Sequence, residues 1–173
     1  MDTTIITTTE RLRIEKAQLQ DDDFFFRLLN SPSWIRYIGD RGIRTRDDAE
    51  QYIQDSVLES YQQHGYGLYK VVFKATGHPM GLCGFLKRTY LDHADIGFAI
   101  LPEYERQGYT YEAARALLEY GATVLKLRPM LAITTSGNLR SRHLLAKLGL
   151  IEQGKIRPTR VGPEYLLFST ADS

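Results

Sequence analysis

The sequence has 173 residues, of which 43% are hydrophobic and 25% charged, with 22 lysines and arginines against 21 acidic residues. These values are typical of a globular chain and argue against disorder and against a protein that coats nucleic acid. One cysteine, Cys83, excludes an intrachain disulfide, and no membrane-length apolar run or signal peptide is visible. We predict a soluble, cytoplasmic protein that forms one domain over residues 1–173, with no metal, membrane or nucleic-acid partner.

The N-terminal quarter predicts a strand and a helix. Polar and apolar side chains alternate over residues 11–15, which favours a strand. An apolar stripe at helical spacing follows over residues 24–29. We expect this helix to end before Pro32, and we expect a loop over residues 31–44.

A second helix and a hairpin follow. Thr45 and Asp48 resemble a capping box that begins the helix, which should end by Gly65. Two runs rich in β-branched and aromatic residues, 68–74 and 81–88, are separated by a turn containing glycine and proline. This pattern predicts an antiparallel hairpin.

The C-terminal half alternates strands with helices. The predicted elements are a strand over 95–100, a long helix over 109–127 with Val124 on its inner face, a strand over 131–135, a helix over 138–148, and strands over 151–157 and 164–169. Hairpins on one side and strand–helix–strand crossovers on the other predict a mixed α+β sheet.

A loop that contains one glycine precedes the long helix. The first turn of a helix presents unpaired N–H groups and a partial positive charge, and a glycine lets the backbone approach a phosphate. The amides from Arg106 to Tyr111 could therefore hold a pyrophosphate. An ordinary strand-to-helix turn is the alternative, because one glycine is common in such turns. The loop lacks the Gly-Lys-Ser/Thr of a Walker motif and the three glycines of a Rossmann motif.

The helix that begins near Asn138 is strongly basic. Residues 138–160 hold six basic side chains and one acidic side chain. Such a face is either solvated or neutralises phosphate. Asn138 is either a helix N-cap or an amide that hydrogen-bonds the extended arm of a cofactor.

Together these segments resemble the GCN5-related N-acetyltransferase (GNAT) superfamily, most closely the Rim-type enzymes that acetylate the N-termini of ribosomal proteins. The resemblance rests on the motifs in residues 9–13, 34–39, 104–113 and 138–150. It implies a mixed, mostly antiparallel sheet of about seven strands with about four helices, in which two central strands splay apart. It also implies acetyl-CoA as co-substrate and acetyl transfer to a primary amine, of a protein N-terminus or a small molecule. A homodimer is left open.

The resemblance also assigns roles to residues. The coenzyme A contacts that it implies are the backbone of Phe98, Ala99 and Ile100, the amides of Arg106, Gln107, Gly108, Tyr109, Thr110 and Tyr111, and the side chains of Asn138 and Ser141. In the acetyl transfer, Asp95 is the expected base, acting directly or through water, and Ser141 the expected general acid. A solvated strand-edge carboxylate is the alternative for Asp95.

The sequence departs from the family pattern at three positions. Glu105 begins the phosphate loop, Thr110 stands where glycine or alanine is usual, and Leu145 stands where many members have a tyrosine acid. These departures keep a second interpretation open, in which the fold is a non-catalytic module that binds acyl-CoA for regulation.

The acceptor is the least specified part of the site. Trp34, Tyr37 and Tyr90 are expected to line it, with core packing as the alternative. Peptide N-termini, polyamines, aminoglycosides and amino-acid-like amines all fit the sequence.

Overall fold

The strands of the computed structural model, which describes residues 4–171, form one sheet. They are β1 (Ile5–Thr8), β2 (Leu12–Lys16), β3 (Leu68–Phe73), β4 (Pro79–Leu86), β5 (Asp95–Ile100), β6 (Leu131–Thr134), β7 (Ile151–Ile156) and β8 (Tyr165–Ser169). The α-helices are α1 (Asp22–Leu29), α2 (Pro32–Tyr37), α3 (Arg46–Tyr52), α4 (Glu59–His64), α5 (Tyr109–Thr123) and α6 (Leu139–Lys147). The predicted α+β class is confirmed, with eight strands rather than about seven.

The sheet order places a seam between β5 and β6. The strands lie in the order β1-β2-β3-β4-β5-β6-β8-β7, and every neighbouring pair is antiparallel except β5 and β6. These two parallel strands share one residue pair, Asp95 with Leu131, supported by a 3.0 Å hydrogen bond from the Leu131 amide to the Ala94 carbonyl. Beyond that pair they diverge, so the expected splayed strands are present.

Helix α2 lies inside the segment predicted to be a loop. Pro32 does follow the end of α1, but it is also the first residue of α2. A proline fits this position because the first helical N–H has no partner and the fixed φ suits a helix. Strand β1 was also absent from the prediction, since four residues are too few to show an alternation.

The second predicted helix has the expected ends. The Thr45 hydroxyl accepts from the Asp48 amide at 3.0 Å, and the Asp48 carboxylate accepts from the Thr45 amide at 3.0 Å. The helical path runs through α3, a π-helical segment over Ile53–Leu58, and α4. It ends at Gly65, whose φ of 77° is left-handed.

Helix α5 is shorter than predicted. It ends at Thr123, and Val124, predicted to face the core, is 60% exposed. Lys126 adopts a left-handed φ of 59°, and the Leu127 amide donates back to the Gly121 carbonyl at 2.8 Å. The chain thus turns back on the helix end at a left-handed residue that is not glycine.

Apolar residues cover both faces of the sheet. On one face Phe85 and Ile96 pack with Leu117 of α5, and on the other Leu82 packs with residues of the helices between β2 and β3, such as Phe25 and Ile53. No helix within residues 4–171 is long and apolar enough to cross a membrane.

Candidate active site

The loop before α5 presents a row of free amides. Arg106 and Gly108 have φ values of 63° and 82°, so the chain is left-handed twice just before the helix begins. In the described part of the chain, no amide from Arg106 to Tyr111 donates to another protein group. The loop therefore offers unpaired donors at the positive end of a 15-residue helix.

Arg11 holds this loop against the sheet. Its Nε donates to Glu112 at 2.7 Å and its Nη1 to the Gln107 carbonyl at 3.2 Å. The guanidinium lies 4.3 Å from the centre of the Tyr109 ring. Sequence reasoning did not assign this role to Arg11, since 101 residues separate it from Glu112.

Glu112 is a fixed carboxylate. Partial burial alone raises its pKa, but hydrogen bonds from the Thr9 hydroxyl and from the Arg11 amide and guanidinium outweigh burial and lower the pKa below its ordinary value. Its oxygens are engaged in bracing the loop.

Glu105 connects the loop to α2 and α6. Its carboxylate accepts from the Ser33 hydroxyl at 2.9 Å and from both terminal nitrogens of Arg140 at 2.8 and 2.7 Å. Arg140, predicted to belong to a solvated or phosphate-neutralising face, is therefore ion-paired. The departure from the family pattern at Glu105 has a structural role.

Asn138 and Ser141 lie at the start of α6, which follows β6. The Asn138 side-chain oxygen accepts from the Ser141 amide at 3.2 Å, so the N-cap interpretation holds. Ser141 is 8% exposed, and no hydrogen bond of its hydroxyl occurs within residues 4–171. Leu145, one turn further along α6, is buried and provides no acid.

Asp95 lies at the narrow end of the seam, paired with Arg88. The Arg88 Nε donates to the two Asp95 carboxylate oxygens at 2.9 and 3.1 Å, and Nη1 donates to the Tyr90 hydroxyl at 3.2 Å. Asp95 is 1% exposed, so the alternative of a solvated carboxylate is wrong. Burial raises the pKa of Asp95, and the charge of Arg88 opposes this rise.

The three aromatic residues differ in placement. Trp34 is buried in the core cluster of α1 to α4, yet its indole N–H has no acceptor among the described residues. Tyr37 and Tyr90 are partly exposed. Tyr90 alone of the three contacts the Asp95 pair, through Arg88.

Cys83 is a buried core residue on β4. Burial raises the pKa of its thiol to about 12. It is therefore unsuited to form an acetyl-thioester at neutral pH. Within residues 4–171, no group of three or more His, Cys, Asp and Glu side chains could hold a metal ion.

The segments that form the seam and the loop before α5 lie within a region that matches a known family. A family model described as an acetyltransferase (GNAT) domain matches residues 11–151. The chain belongs to the GNAT acetyltransferase family. It is thus an N-acetyltransferase by family, and the predicted superfamily is confirmed.

Relatives of the GNAT chain carry N-acetyltransferase names. The uncharacterized N-acetyltransferase YnaD of Bacillus subtilis is 26% identical over 151 residues, which are 85% of this chain and 83% of YnaD. The spermidine N(1)-acetyltransferase of Escherichia coli K12 is 24% identical over 84% of this chain and 75% of its own.

A solved structure shares the GNAT fold of this chain. The RimL ribosomal L7/L12 α-N-protein acetyltransferase, in complex with coenzyme A, superposes with a TM-score of 0.82 at 14% identity, over 95% of this chain and 96% of RimL. At this identity the likeness concerns the fold.

GNAT enzymes use acetyl-CoA, and the residues here fit that molecule. Extended pantetheine can pair with an open strand edge, and β5 has such an edge beyond its one pair with β6. A pyrophosphate needs N–H donors, which the loop from Arg106 to Tyr111 leaves unpaired. The donor set and the gap therefore suit the co-substrate.

Proposed function

We propose that this GNAT enzyme transfers the acetyl group of acetyl-CoA directly to a primary amine, through one domain over residues 1–173. The observation that carries the proposal is the seam between β5 and β6, which opens toward the unpaired amides before α5. One continuous surface thus provides donors for a pyrophosphate and a strand edge for pantetheine.

Backbone groups would hold most of the co-substrate. The amides of Arg106, Gln107, Gly108, Tyr109, Thr110 and Tyr111 would bind the pyrophosphate. Backbone groups of Phe98, Ala99 and Ile100 would pair with pantetheine and orient the thioester carbonyl. The side chain of Thr110, half-buried in the first turn of α5, would add a hydroxyl donor.

Asp95 and Ser141 would move the protons. The amine nitrogen forms a bond to the acetyl carbon as the carbon–sulfur bond breaks. Asp95 accepts the proton lost by the amine, directly or through water, and its raised pKa strengthens it as a base. Ser141 donates a proton to the departing sulfur, since Leu145 has none to give. The proton taken up by Asp95 then returns to Ser141 through solvent, so that the cycle closes.

Aromatic side chains would border the acceptor. Tyr90 and Tyr37 are partly exposed and could cover an amine. The unpaired indole N–H of Trp34 supports a contact with a bound polar group, because buried donors without partners are rare.

Release of free thiol from acetyl-CoA, measured with a panel of amines, tests this proposal. Asp95→Asn should lower kcat by about 100-fold or more and leave the Kd for CoA unchanged. Glu119→Gln, which removes an exposed carboxylate on α5, is the control. An unchanged rate would remove Asp95 as the base. CoA binding without turnover of any amine would support the regulatory module instead.

A further inference from the structure

The Arg88 guanidinium has hydrogen-bond donors to spare. Nε is used by Asp95 and one Nη1 proton by Tyr90. No group in residues 4–171 accepts from Nη2. The side chain is 31% exposed, whereas its partner Asp95 is 1% exposed. The outer edge of this ion pair therefore offers a planar fork of N–H groups, which suits a carboxylate.

The Asp95 pair and its surroundings lie on one face of the sheet. Side chains alternate along β5, and Ile96 packs in the core cluster of α5 while Ala99 packs against the cluster of α1 to α4. Asp95 shares the face of Ala99. This face is opposite to the α5 core, on the side of the loop between α2 and α3.

Arg41, from the loop between α2 and α3, contributes a second positive charge. Burial raises the pKa of Tyr52, and the charges of Arg41 and Arg88 both oppose that rise. Ile43, two residues from Arg41, is buried in the cluster of α1 to α4 against which Tyr52 and Ala99 also pack. The loop that carries Arg41 therefore lies on the face of the sheet that Asp95 shares. Arg41 is exposed and forms no ion pair with any described residue.

Two loops, residues 36–45 and residues 87–95, border the Arg88–Asp95 pair and together carry more unpaired positive than negative charges. Asp40 is paired with Arg44, and Asp95 with Arg88. Four charged side chains in residues 36–45 and 87–95 form no ion pair with any described residue. They are Arg36, Arg41 and Lys87, which are positive, and Asp92, which is negative. Within these two loops a polycation would meet three unpaired cations and one unpaired carboxylate, which disfavours its binding there.

We infer that the acceptor is an amine that carries its own carboxylate, an amino acid or a close analogue, and that Arg88 and Arg41 bind this carboxylate. The inference rests on the proposed function. A carboxylate bound to the outer N–H groups of Arg88 would bring the amine of the same molecule close to Asp95, which is bound at Nε of the same guanidinium. The ion pair thus anchors one end of the acceptor and accepts the proton from the other.

Paired substrates test the inference. Initial rates are measured at saturating acetyl-CoA with the proteinogenic amino acids, with the C-terminal amide of each, and with spermidine and kanamycin. We expect kcat/KM for the best amino acid to exceed that of its amide by at least about 10-fold, because the amide lacks the charge-assisted hydrogen bonds. Spermidine and kanamycin should be poorer still.

Variants identify the anchoring residues. Arg41→Gln should raise KM for the amino acid by about 10-fold and leave its amide and acetyl-CoA unaffected. Arg88→Lys keeps a positive charge beside Asp95 but removes the planar fork of N–H groups. It should reduce the ratio of kcat/KM between the amino acid and its amide. Arg115→Gln, an exposed arginine on α5, is the control and should change neither KM. If Arg88→Lys does not fold, Arg41→Gln carries the test.

Two outcomes distinguish a failure of this inference from a failure of the proposed function. Turnover of spermidine or of amides as fast as of amino acids would overturn the inference while leaving the acetyltransferase proposal intact. Absence of turnover with every amine, despite CoA binding, would overturn the proposed function itself. A KM for the amino acid that Arg41→Gln leaves unchanged would also contradict the role of Arg41.

Discussion

The sharpest test of the phosphate loop is Gly108→Ala. Gly108 has a φ of 82°, and a Cβ there would lie 3.4 Å from Nη2 of Arg11, an ordinary contact. The perturbation is therefore conformational rather than steric. A non-glycine residue in the left-handed region costs about 1–2 kcal/mol.

This cost must appear in one of two measurable places. If the loop keeps its conformation, the free energy of unfolding falls by about 1–2 kcal/mol and CoA binds as before. If the loop relaxes in the free protein, the same energy is spent on binding and the Kd rises about 5- to 30-fold. The loss of unfolding free energy and the loss of binding free energy should therefore add to about 1–2 kcal/mol.

Urea unfolding measures the free energy of unfolding, and calorimetric titration measures the Kd for CoA. Gly77→Ala is the matched control, since Gly77 has a φ of 75° with open space around its Cβ position and lies in the turn between β3 and β4. Gly77→Ala should lower the free energy of unfolding and leave the Kd for CoA unchanged. If Gly108→Ala alters neither stability nor affinity, the strain argument is refuted. If the bulkier Gly108→Val also leaves CoA affinity unchanged, the loop is not the phosphate site.

Two further predictions concern Glu112 and Cys83. Because the folded-state pKa of Glu112 is lowered from 4.5, the stability it provides is present above about pH 4.5 and is lost as the pH falls through the folded-state value. Glu112→Gln should lower the free energy of unfolding by about 1–2 kcal/mol at pH 7. It should also flatten the loss of stability as the pH falls below about 4.5, measured by urea unfolding, whereas the exposed Glu119→Gln should do neither. Cys83, with a pKa of about 12, should not react with a disulfide reagent at about pH 8 until urea unfolds the protein; rapid labelling of the folded enzyme would contradict its burial.

Local patterns predicted most of the fold. The Thr45 cap, the Gly65 end and the hairpin of β3 and β4 depend on residues within a few positions of one another, and the structure contains all three. The end of α5 did not follow from the sequence, because its left-handed closing residue is Lys126 rather than glycine. Nothing local distinguishes such a lysine from one that continues the helix.

The sequence predicted the position of the loop before α5 but did not predict which side chains pair with its carboxylates. The amide row before α5 follows from the position of Gly108, a local feature. The partners of Glu112 and Glu105 do not, because they come from Arg11, Ser33 and Arg140, which only the folded sheet brings together. The burial of Asp95 likewise depends on the seam, which no single segment encodes.

The one residue pair between β5 and β6 has a mechanical consequence. It divides the sheet into a five-stranded and a three-stranded part, which no further backbone ladder joins within residues 4–171. Pantetheine bound along β5, as proposed, would lie in the gap between the two parts. The two parts share one hydrophobic core, which includes Phe85 of β4 and Phe168 of β8. If the co-substrate binds at the gap as proposed, we expect the backbone amides of β5 and β6 beside it to gain protection from hydrogen exchange.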